Sequence, residues 1–289
     1  MARVQTAARR GGSPIPARAG IGLRFPHHAA FIDGCPPVGW VEVHSENYLR
    51  HPARGVLERV RRDRDVSLHS VGLSLGSAAG IDADHLARLA ELTRAIEPGL
   101  VSEHLAWGAV DHDFLADLLP LPLTEESLAI VCRNVDRAQT ALGRRLLIEN
   151  PATYLQFAQS TIPEPAFLRA LVERTGCGLI CDVNNIVVSA ANHGWDAQTY
   201  LRAFPGHAIG EYHLAGHQRV EEVDGALLID THDRPVADAV WQLYARAVAL
   251  YGAHPTLIEW DADIPPLDVL LAEAARADAV MEAVRDYAA

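Results

Sequence analysis

The residues best suited to chemistry are concentrated between His213 and Asp233. The two ends of this segment hold three imidazoles, His213, His217 and His232, and two carboxylates, Asp230 and Asp233. Asp230 and His232 are one residue apart, so both can turn toward one point in an extended or irregular loop. Imidazoles and carboxylates together bind transition metals. The segment therefore predicts about half of a metal site.

The other candidate ligands each end a short apolar run elsewhere in the chain. An unpaired carboxylate in such surroundings is costly, so we expect a cation near Glu149 and Glu259, the candidate bridges. A single histidine of this kind is more often structural, and the prediction rests on the set. Mixed His and carboxylate ligands fit iron, manganese or zinc better than calcium, and one metal needs only about half of the set, which predicts two or three metals. The candidates are His69, His104, Glu149, Asp182, His213, Asp230, His232 and Glu259.

Eight short β-branched or Leu-rich runs alternate with segments of helical spacing. This alternation predicts an α/β fold, a closed parallel (β/α)8 TIM barrel. Asp82 and Thr124 are expected to cap helices, and Gly143 to end the second. Further helices are expected at 165–175, 235–251 and from 267 to about 284. The predicted strands are Ile21–Arg24, Trp40–His44, Val66–His69, Leu100–His104, Leu146–Glu149, Leu179–Asp182, Ile209–His213 and Thr256–Glu259.

The carboxyl ends of the strands form the active face of such a barrel. All eight predicted ends are polar, which is more than loop polarity alone accounts for. Three segments after strands, 105–123, 183–195 and 214–234, are interpreted as long loops that wall the substrate site. The strand-end residues are Arg24, His44, His69, His104, Glu149, Asp182, His213 and Glu259.

Length and composition favour one large domain. The chain has 289 residues, of which 49% are hydrophobic, and barrels of this length are commonly single domains. The Arg-rich start lacks the apolar core of a secretory signal, and no run of eighteen apolar residues predicts a membrane span. We expect a flexible tail at 1–19 and a single TIM-barrel domain at 20–289.

Charge and cysteine usage exclude further classes. A formal net charge of -12 argues against a protein that binds nucleic acid through a basic surface. Cys35, Cys132, Cys177 and Cys181 form neither a CxxC pair nor a dense framework, which is typical of a reducing, cytoplasmic location. Cys177 and Cys181 are interpreted as buried thiols rather than as a disulfide or a metal pair.

Eight short motifs follow one another along the chain. They are Val43-His44-Ser45-Glu46-Asn47-Tyr48, Leu68-His69-Ser70-Val71-Gly72, Ser102-Glu103-His104-Leu105, Glu149-Asn150-Pro151, Cys181-Asp182-Val183-Asn184-Asn185, His213-Leu214-Ala215-Gly216-His217, Asp230-Thr231-His232-Asp233 and Ile258-Glu259-Trp260-Asp261. From residue 20 to about 285 the chain thus resembles the multinuclear non-heme iron-dependent oxidative enzymes, the family of the methanobactin biosynthesis enzyme MbnB. A more distant resemblance is to endonuclease IV and xylose isomerase-like barrels. Endonuclease IV has a His where this chain has Asn185, a weaker zinc ligand, which argues against a three-zinc nuclease.

The first resemblance implies two or three iron ions of mixed Fe(II)/Fe(III) state, with O2 as co-substrate. It also implies oxidation of cysteine in a ribosomally made precursor peptide. The family usually works with a separate leader-binding protein, and the barrel uses all of the chain after the tail, so we expect such a partner in trans. The implied ligands are His69, His104, Glu149, Asp182, Asn185, His213, Asp230, His232 and Glu259.

Further side chains are candidates for roles beside the metals. His44, Glu46 and Asn47 are candidate catalytic residues that position the peptide or move protons; for His44 the alternative is packing under the second strand. The segment with Trp107, His112 and Phe114 is expected either to clamp a peptide or to cover the barrel mouth. The histidines interpreted as surface residues are His51, His85 and His254.

Two other readings remain open from the sequence. One is a zinc- or manganese-dependent hydrolase or isomerase acting on phosphate or sugar, without O2 or thiol dependence. The other is a partner-binding scaffold with a vestigial site. The scaffold hypothesis is disfavoured because a complete set of metal-ligand side chains destabilises the fold when no metal is bound.

Overall fold

The computed structural model describes residues 15–50, 53–110, 113–222 and 225–288. It contains eight barrel strands and two hairpins. In chain order the strands are β1 (Ala19–Gly22), β2 (Trp40–His44), β3 (Asp65–Ser70), β4 (Leu100–His104), β5 (Trp107–Val110), β6 (Asp113–Leu119), β7 (Leu147–Glu149), β8 (Gly178–Asp182), β9 (Ile209–Leu214), β10 (Gln218–Glu222), β11 (Gly225–Ile229) and β12 (Thr256–Ile258).

Eight of these strands form a closed parallel barrel. Its order is β1-β12-β9-β8-β7-β4-β3-β2, and the chain fills it by consecutive crossovers, so the predicted TIM barrel is confirmed. The antiparallel hairpins β5-β6 and β10-β11 extend from the carboxyl ends of β4 and β9. The predicted first strand is displaced: β1 ends at Gly22, so Arg24 lies in the loop beyond it.

Helices surround the barrel and cover its strands. The caps expected at Asp82 and Thr124 are present, each side chain accepting a backbone N–H, and Gly143 ends the second helix with a left-handed backbone. The helices are α1 (His28–Asp33), α2 (Ala53–Arg61), α3 (Ala83–Ile96), α4 (Glu125–Leu142), α5 (Glu164–Thr175), α6 (Val183–His193), α7 (Ala197–Ala203), α8 (Asp238–Tyr251) and α9 (Leu267–Ala288).

The interpretation of 183–195 as a long loop is wrong. Helix α6 occupies this segment because the Asp182 carboxylate caps it, accepting the N–H of Asn185 at 2.6 Å. Val183, Ile186 and Ala190 are buried on one face, which packs the helix on the barrel. The other two expected loops are the hairpins β5-β6 and β10-β11, and the helix expected from Pro235 begins at Asp238.

The amino-terminal end of the barrel is closed by side chains. Trp40, fully buried, packs with Ile15 and Leu257, and its indole donates to the carbonyl of Arg18 at 2.8 Å. Gly20 is needed here, since a Cβ at that position would lie 2.4 Å from the Trp40 ring. Ile15 belongs to the expected tail, whose residues 1–14 lie outside the described residues. The open end is therefore the carboxyl end.

Two smaller expectations concern membranes and thiols. Within the described ranges no helix combines the length and apolar character needed to cross a bilayer. All four cysteines are free, and Cys177 and Cys181 are buried, as expected for core thiols.

Candidate metal centre

The register of neighbouring strands places the candidate ligands side by side. Because successive side chains of a strand alternate between its faces, paired residues at the strand ends point together into the barrel mouth. The register pairs are His44 with His69, His104 with Glu149, and Asp182 with His213.

The first group of ligand atoms joins β3, β4 and β7. His69 Nε2 lies 3.3 Å from both His104 Nε2 and Glu149 Oε2, and the last two atoms are 3.6 Å apart. Two ligands about 2.1 Å from one tetrahedral ion are about 3.4 Å apart. The triangle thus has the size of a metal site. Ser102 Oγ, at 2.8 Å from His69 Nδ1, orients the ring.

The second group joins β7, β8, β9 and the end of β12. Glu149, Asp182, His213 and Glu259 each place one ligand atom within 4.8 Å of the others. His213 Nδ1 lies 3.2 Å from Glu259 Oε2 and 3.8 Å from Glu149 Oε2. Glu149 therefore belongs to both groups, which is the position of a bridging carboxylate.

A third group lies where the second hairpin returns to the barrel. His232 Nε2 is 2.7 Å from Asp230 Oδ1, and His232 Nδ1 is 3.6 Å from Glu259 Oε2. The backbone of His232 is left-handed, with φ 48°, a strained conformation for a non-glycine residue that is common at functional sites. Asn185 lies in the first turn of α6 and lines the same cavity.

The buried polar atoms test whether these residues fit metal ions. Hydrogen-bonded buried polar groups are the rule, so several unpartnered ligand atoms at one place require an explanation. Nitrogen and oxygen donors, four of them carboxylates, suit two or three ions of iron, zinc or manganese. The unpartnered buried atoms include Glu149 Oε2, Asp182 Oδ2 and Asn185 Oδ1.

The pKa shifts at this site arise because many ionisable side chains are buried close together. Burial lowers the pKa of His104, but Glu149 and Glu103 outweigh it and raise the value to about 9. Burial, with the charge of Glu149, raises the pKa of Asp182 well above its usual range. Burial also favours protonated Glu259, but the histidines, chiefly His232, hold its pKa well below normal. Without a cation, these imidazoles are the main counter-charges of the carboxylates.

The three groups open into one cavity of about 360 Å³ at the barrel mouth, which we call the metal cavity. Its floor is made of ligand side chains from the strand ends. Leu118 from β6 and Tyr154 from the segment after β7 form parts of its rim. The cavity is large enough for one or two residues of a substrate to reach the ligands.

Residues 18–282 match the family described as "RiPP precursor modification enzyme MbnB/TglH/ChrH", RiPP denoting ribosomally synthesised and post-translationally modified peptides. The chain belongs to this family. The match runs from β1 into α9 and therefore includes every candidate ligand of this MbnB/TglH/ChrH family member.

Relatives and solved structures agree with the assignment. A UPF0276 protein of Vibrio vulnificus (strain CMCP6) is 48% identical over 266 residues, 91% of each chain. One of Rhizorhabdus wittichii is 51% identical over 258 residues, 88% of this chain and 91% of the relative. A xylose isomerase domain protein from Planctomyces limnophilus has a TM-score of 0.60 at 12% identity, covering 95% of this chain and 99% of its own. An L-ribulose 3-epimerase has a TM-score of 0.58 at 17% identity, covering 94% and 97%. These structures show a xylose isomerase-like TIM barrel.

The three predicted catalytic residues are placed differently from one another. His44 lines the metal cavity, with Nε2 3.2 Å from an Arg24 nitrogen and 3.9 Å from Glu259 Oε1. Glu46 instead faces the start of the loop after β3, where its carboxylate accepts from Ser70 Oγ at 2.8 Å. Asn47 is exposed. The structure therefore brings only His44 to the metal groups.

Two of the histidines interpreted as surface residues have defined partners. The interpretation of His85 is wrong, because its Nε2 lies 3.0 Å from Glu46 Oε1 and its ring is largely covered. His254 packs edge-on against the buried Tyr212 ring. His51 and His112 lie outside the described residues. Trp107 donates to the carbonyl of Pro120 at 2.9 Å and so braces the first hairpin.

Sequence reasoning missed two buried carboxylates beneath the ligands. Glu42 and Glu211 are fully buried, and their oxygens lie 3.6 and 3.5 Å from His213 Nε2. Burial raises the pKa of both groups. The signal was present: they precede His44 and His213 by two residues, and alternation puts such positions on the same inward face. They support the ring of His213 from below.

Neighbours of the third group were also missed. Asp261 accepts a charged hydrogen bond from Arg24 and lies 3.2 Å from His232 Nδ1. Asn184 donates to Asp230 Oδ1 at 2.6 Å, while its own oxygen lies 2.7 Å from His217 Nδ1. His217 thus orients the ligand group through Asn184. Asp233, at the end of the segment from His213, pairs with Arg234 and Thr231.

Proposed function

We propose that this protein oxidises cysteine in a ribosomally made precursor peptide, using O2 at a centre of two or three irons. Membership of the precursor-modifying family supports the peptide substrate. One observation carries the multinuclear centre: the buried, unpartnered Glu149 Oε2 lies between the His69–His104 pair and the group that contains His213. A carboxylate oxygen so placed fits a bridge between two cations.

The ligand assignment follows from the three groups. His69, His104 and Glu149 would hold the first ion. Glu149 would be shared with Asp182, His213 and Glu259 at a second. Asn185, Asp230 and His232 would complete a looser third site, because an amide oxygen binds more weakly than a carboxylate or imidazole. When bound, the irons would supply the electrons and the dioxygen chemistry that protein side chains lack.

The chain's own residues would position the substrate and handle protons. Arg24 holds Asp261 by a salt bridge and contacts His44, which fixes the imidazole at the cavity edge. His44 Nε2, 3.6 Å from Asp261 Oδ2, is the group best placed to take or return a proton there. The buried position of the ligand floor excludes bulk water, and the peptide thiol would enter from the open side.

A partner is part of the proposal. The family acts on precursor peptides, and we infer that a separate leader-binding protein presents the precursor to the open end of the barrel. Turnover of a full-length precursor by this chain alone, at the rate seen with the partner, would rule out an obligatory partner.

The experiment is anaerobic loading with Fe(II), followed by O2 and a Cys-containing precursor, such as one from a small Cys-rich reading frame beside the gene. We expect O2 uptake and a mass change confined to the Cys residue. A Cys→Ser peptide, O2-free samples and zinc-loaded protein serve as controls. Equal turnover without O2, or with zinc, would instead support a hydrolase or isomerase.

A further inference from the structure

A second cavity lies directly behind two of the candidate ligands. Its volume is about 480 Å³. Its wall includes Leu105, which follows His104 in the chain and donates its N–H to the carbonyl of Glu149 at 3.1 Å. Pro151 lines both this cavity and the metal cavity. The two cavities are therefore neighbours across Pro151, and we call this one the side cavity.

The side cavity has an apolar lining. Leu121, Phe157, Ile162 and Trp195 contribute to it, with Trp195 stacked on Tyr200 at 5.1 Å between ring centroids. Such a lining favours an apolar group over a sugar or a phosphate, which would leave their polar atoms without partners.

Two pairs of polar groups in the wall of the side cavity are engaged with each other. The Tyr200 hydroxyl donates to Glu164 Oε1 at 2.5 Å, and Thr153 Oγ1 lies 2.9 Å from His193 Nε2. These pairs reduce the polar surface open to a ligand, and the other polar side chains in the lining are Gln156, Ser160 and Thr161. A volume near 480 Å³ is within the usual range for ligand pockets and accommodates a bulky side chain with adjoining backbone.

Exposed apolar side chains are concentrated beside the two cavities. Six large apolar residues are strongly exposed among the described residues, and four of them lie on β6 or on the segment 150–163. The segment 150–163 borders both cavities, whereas β6 borders the metal cavity. Exposed apolar surface of this kind marks an interaction site. The four are Leu115, Leu118, Tyr154 and Leu155.

Chain geometry limits the distance between the metal groups and the side cavity. Pro151 is two residues from Glu149 and Thr153 is four, so their Cα atoms lie at most about 7 and 14 Å from that of Glu149. An extended peptide advances about 3.3 Å per residue. A peptide whose reacting residue is at the metals would therefore bring a side chain two to four positions away to the side cavity.

We propose that the side cavity binds a bulky apolar side chain of the substrate peptide, two to four residues from the modified position. The proposal rests on the proposed function, since it takes a peptide as the substrate. It adds a sequence requirement: the precursor carries an aromatic or large aliphatic residue at a fixed short spacing from its reactive Cys.

The test uses fluorescein-labelled nonapeptides of Gly and Ser with a central Cys and one Phe, Leu, Glu or Gly at each position two to four residues to either side. Affinity for the metal-loaded protein is measured anaerobically by polarisation. We expect Phe or Leu at one position to tighten Kd by about 10- to 100-fold over Gly, as burial of such a side chain provides, and Glu to give no gain.

Two variants test whether the side cavity causes the tightening of Kd by Phe, called the Phe gain below. Leu155→Asp places a charge on the rim, and Gln156→Trp fills the cavity from an exposed position; both are expected to abolish the Phe gain. Leu250→Asp is the matched control, since Leu250 is 53% exposed against 51% for Leu155 but lies on α8, away from both cavities. Retention of the gain in the first two variants, or no gain at any position, would overturn the proposal.

Replacement of the central Cys by Ser separates this proposal from the proposed function. The Phe gain should persist with Ser, because the side cavity does not contact the thiol, whereas turnover requires Cys. A Phe gain in the nonapeptides, with no turnover of a full-length Cys-containing precursor supplied with its leader-binding partner and O2, would refute cysteine oxidation and retain the side cavity as the recognition site. Turnover of the precursor without any Phe gain would support cysteine oxidation and refute the side cavity as the recognition site.

Discussion

Replacement of Glu149 by Gln separates metal binding from folding. The fully buried carboxylate belongs to two ligand groups, so its loss should weaken two metal sites together. Burial raises the pKa of Glu149, so at neutral pH the metal-free carboxylate costs stability that the neutral amide does not. Gln also keeps an oxygen for the 3.3 Å contact from Asn185 Nδ2. Because Gln removes a buried charge but also the partner of His104, the metal-free variant should fold with a stability close to that of the metal-free parent.

The magnitude follows from linkage. A cation at one hundred times its Kd stabilises the folded state by about 2.7 kcal/mol, so two cations contribute about 5 kcal/mol. For 289 residues the unfolding entropy is about 0.6 kcal/mol/K, which converts this to a rise in Tm of about 9 °C. If both sites weaken a hundredfold at the same metal concentration, each contributes only about 0.4 kcal/mol and the rise falls to about 1 °C.

The assay is scanning calorimetry of each protein after chelation and after reloading. Glu164→Gln is the matched control, because Glu164 is a carboxyl held by Tyr200 beside the side cavity; it should retain the full metal-induced rise. An unchanged rise in Glu149→Gln would refute the bridging assignment. A metal-free variant that no longer folds would show that the carboxylate is structural instead.

Two further predictions concern groups around the centre. Glu211→Gln should lower metal affinity about 10- to 100-fold with little change in fold, because Glu211 supports His213 from below; competition with a fluorescent chelator measures it, and unchanged affinity would remove this role. Burial raises the pKa of Glu164 to about 7, above its unfolded value, so its protonated form adds stability that is complete below about pH 4.5 and lost as pH rises through 7. This loss amounts to about 3 kcal/mol at most; urea unfolding from pH 4.5 to 8 should show it in the parent and not in Glu164→Gln, and parallel curves would contradict it.

The barrel was predictable because its strands carry their own pattern. Short apolar runs that end in polar residues specified both the strands and the face on which they meet. The limits of β1 were not predictable, since Arg24 extends an apparently continuous run while its guanidinium binds Asp261 across the barrel mouth. That partner lies 237 positions away, beyond the reach of any local signal.

The candidate site was predictable in its ligands more than in their supports. Strand-end position identified His69, His104 and Glu149, which the structure gathers into one triangle. The helix after Asp182 was missed because the same carboxylate serves as a strand end and as a helix cap. Glu42 was missed because the prediction considered only the last residue of each strand. Glu42 lies two residues before the end of β2 and points to the same inward face as His44.

Metal content with Mössbauer spectra tests the central claim most directly. Protein expressed with iron and purified anaerobically should contain two to three irons per chain, with an antiferromagnetically coupled ferric component, because Glu149 lies between two ligand groups. Stoichiometric zinc, with only traces of iron even when iron is supplied, would contradict the account and favour a hydrolase or isomerase.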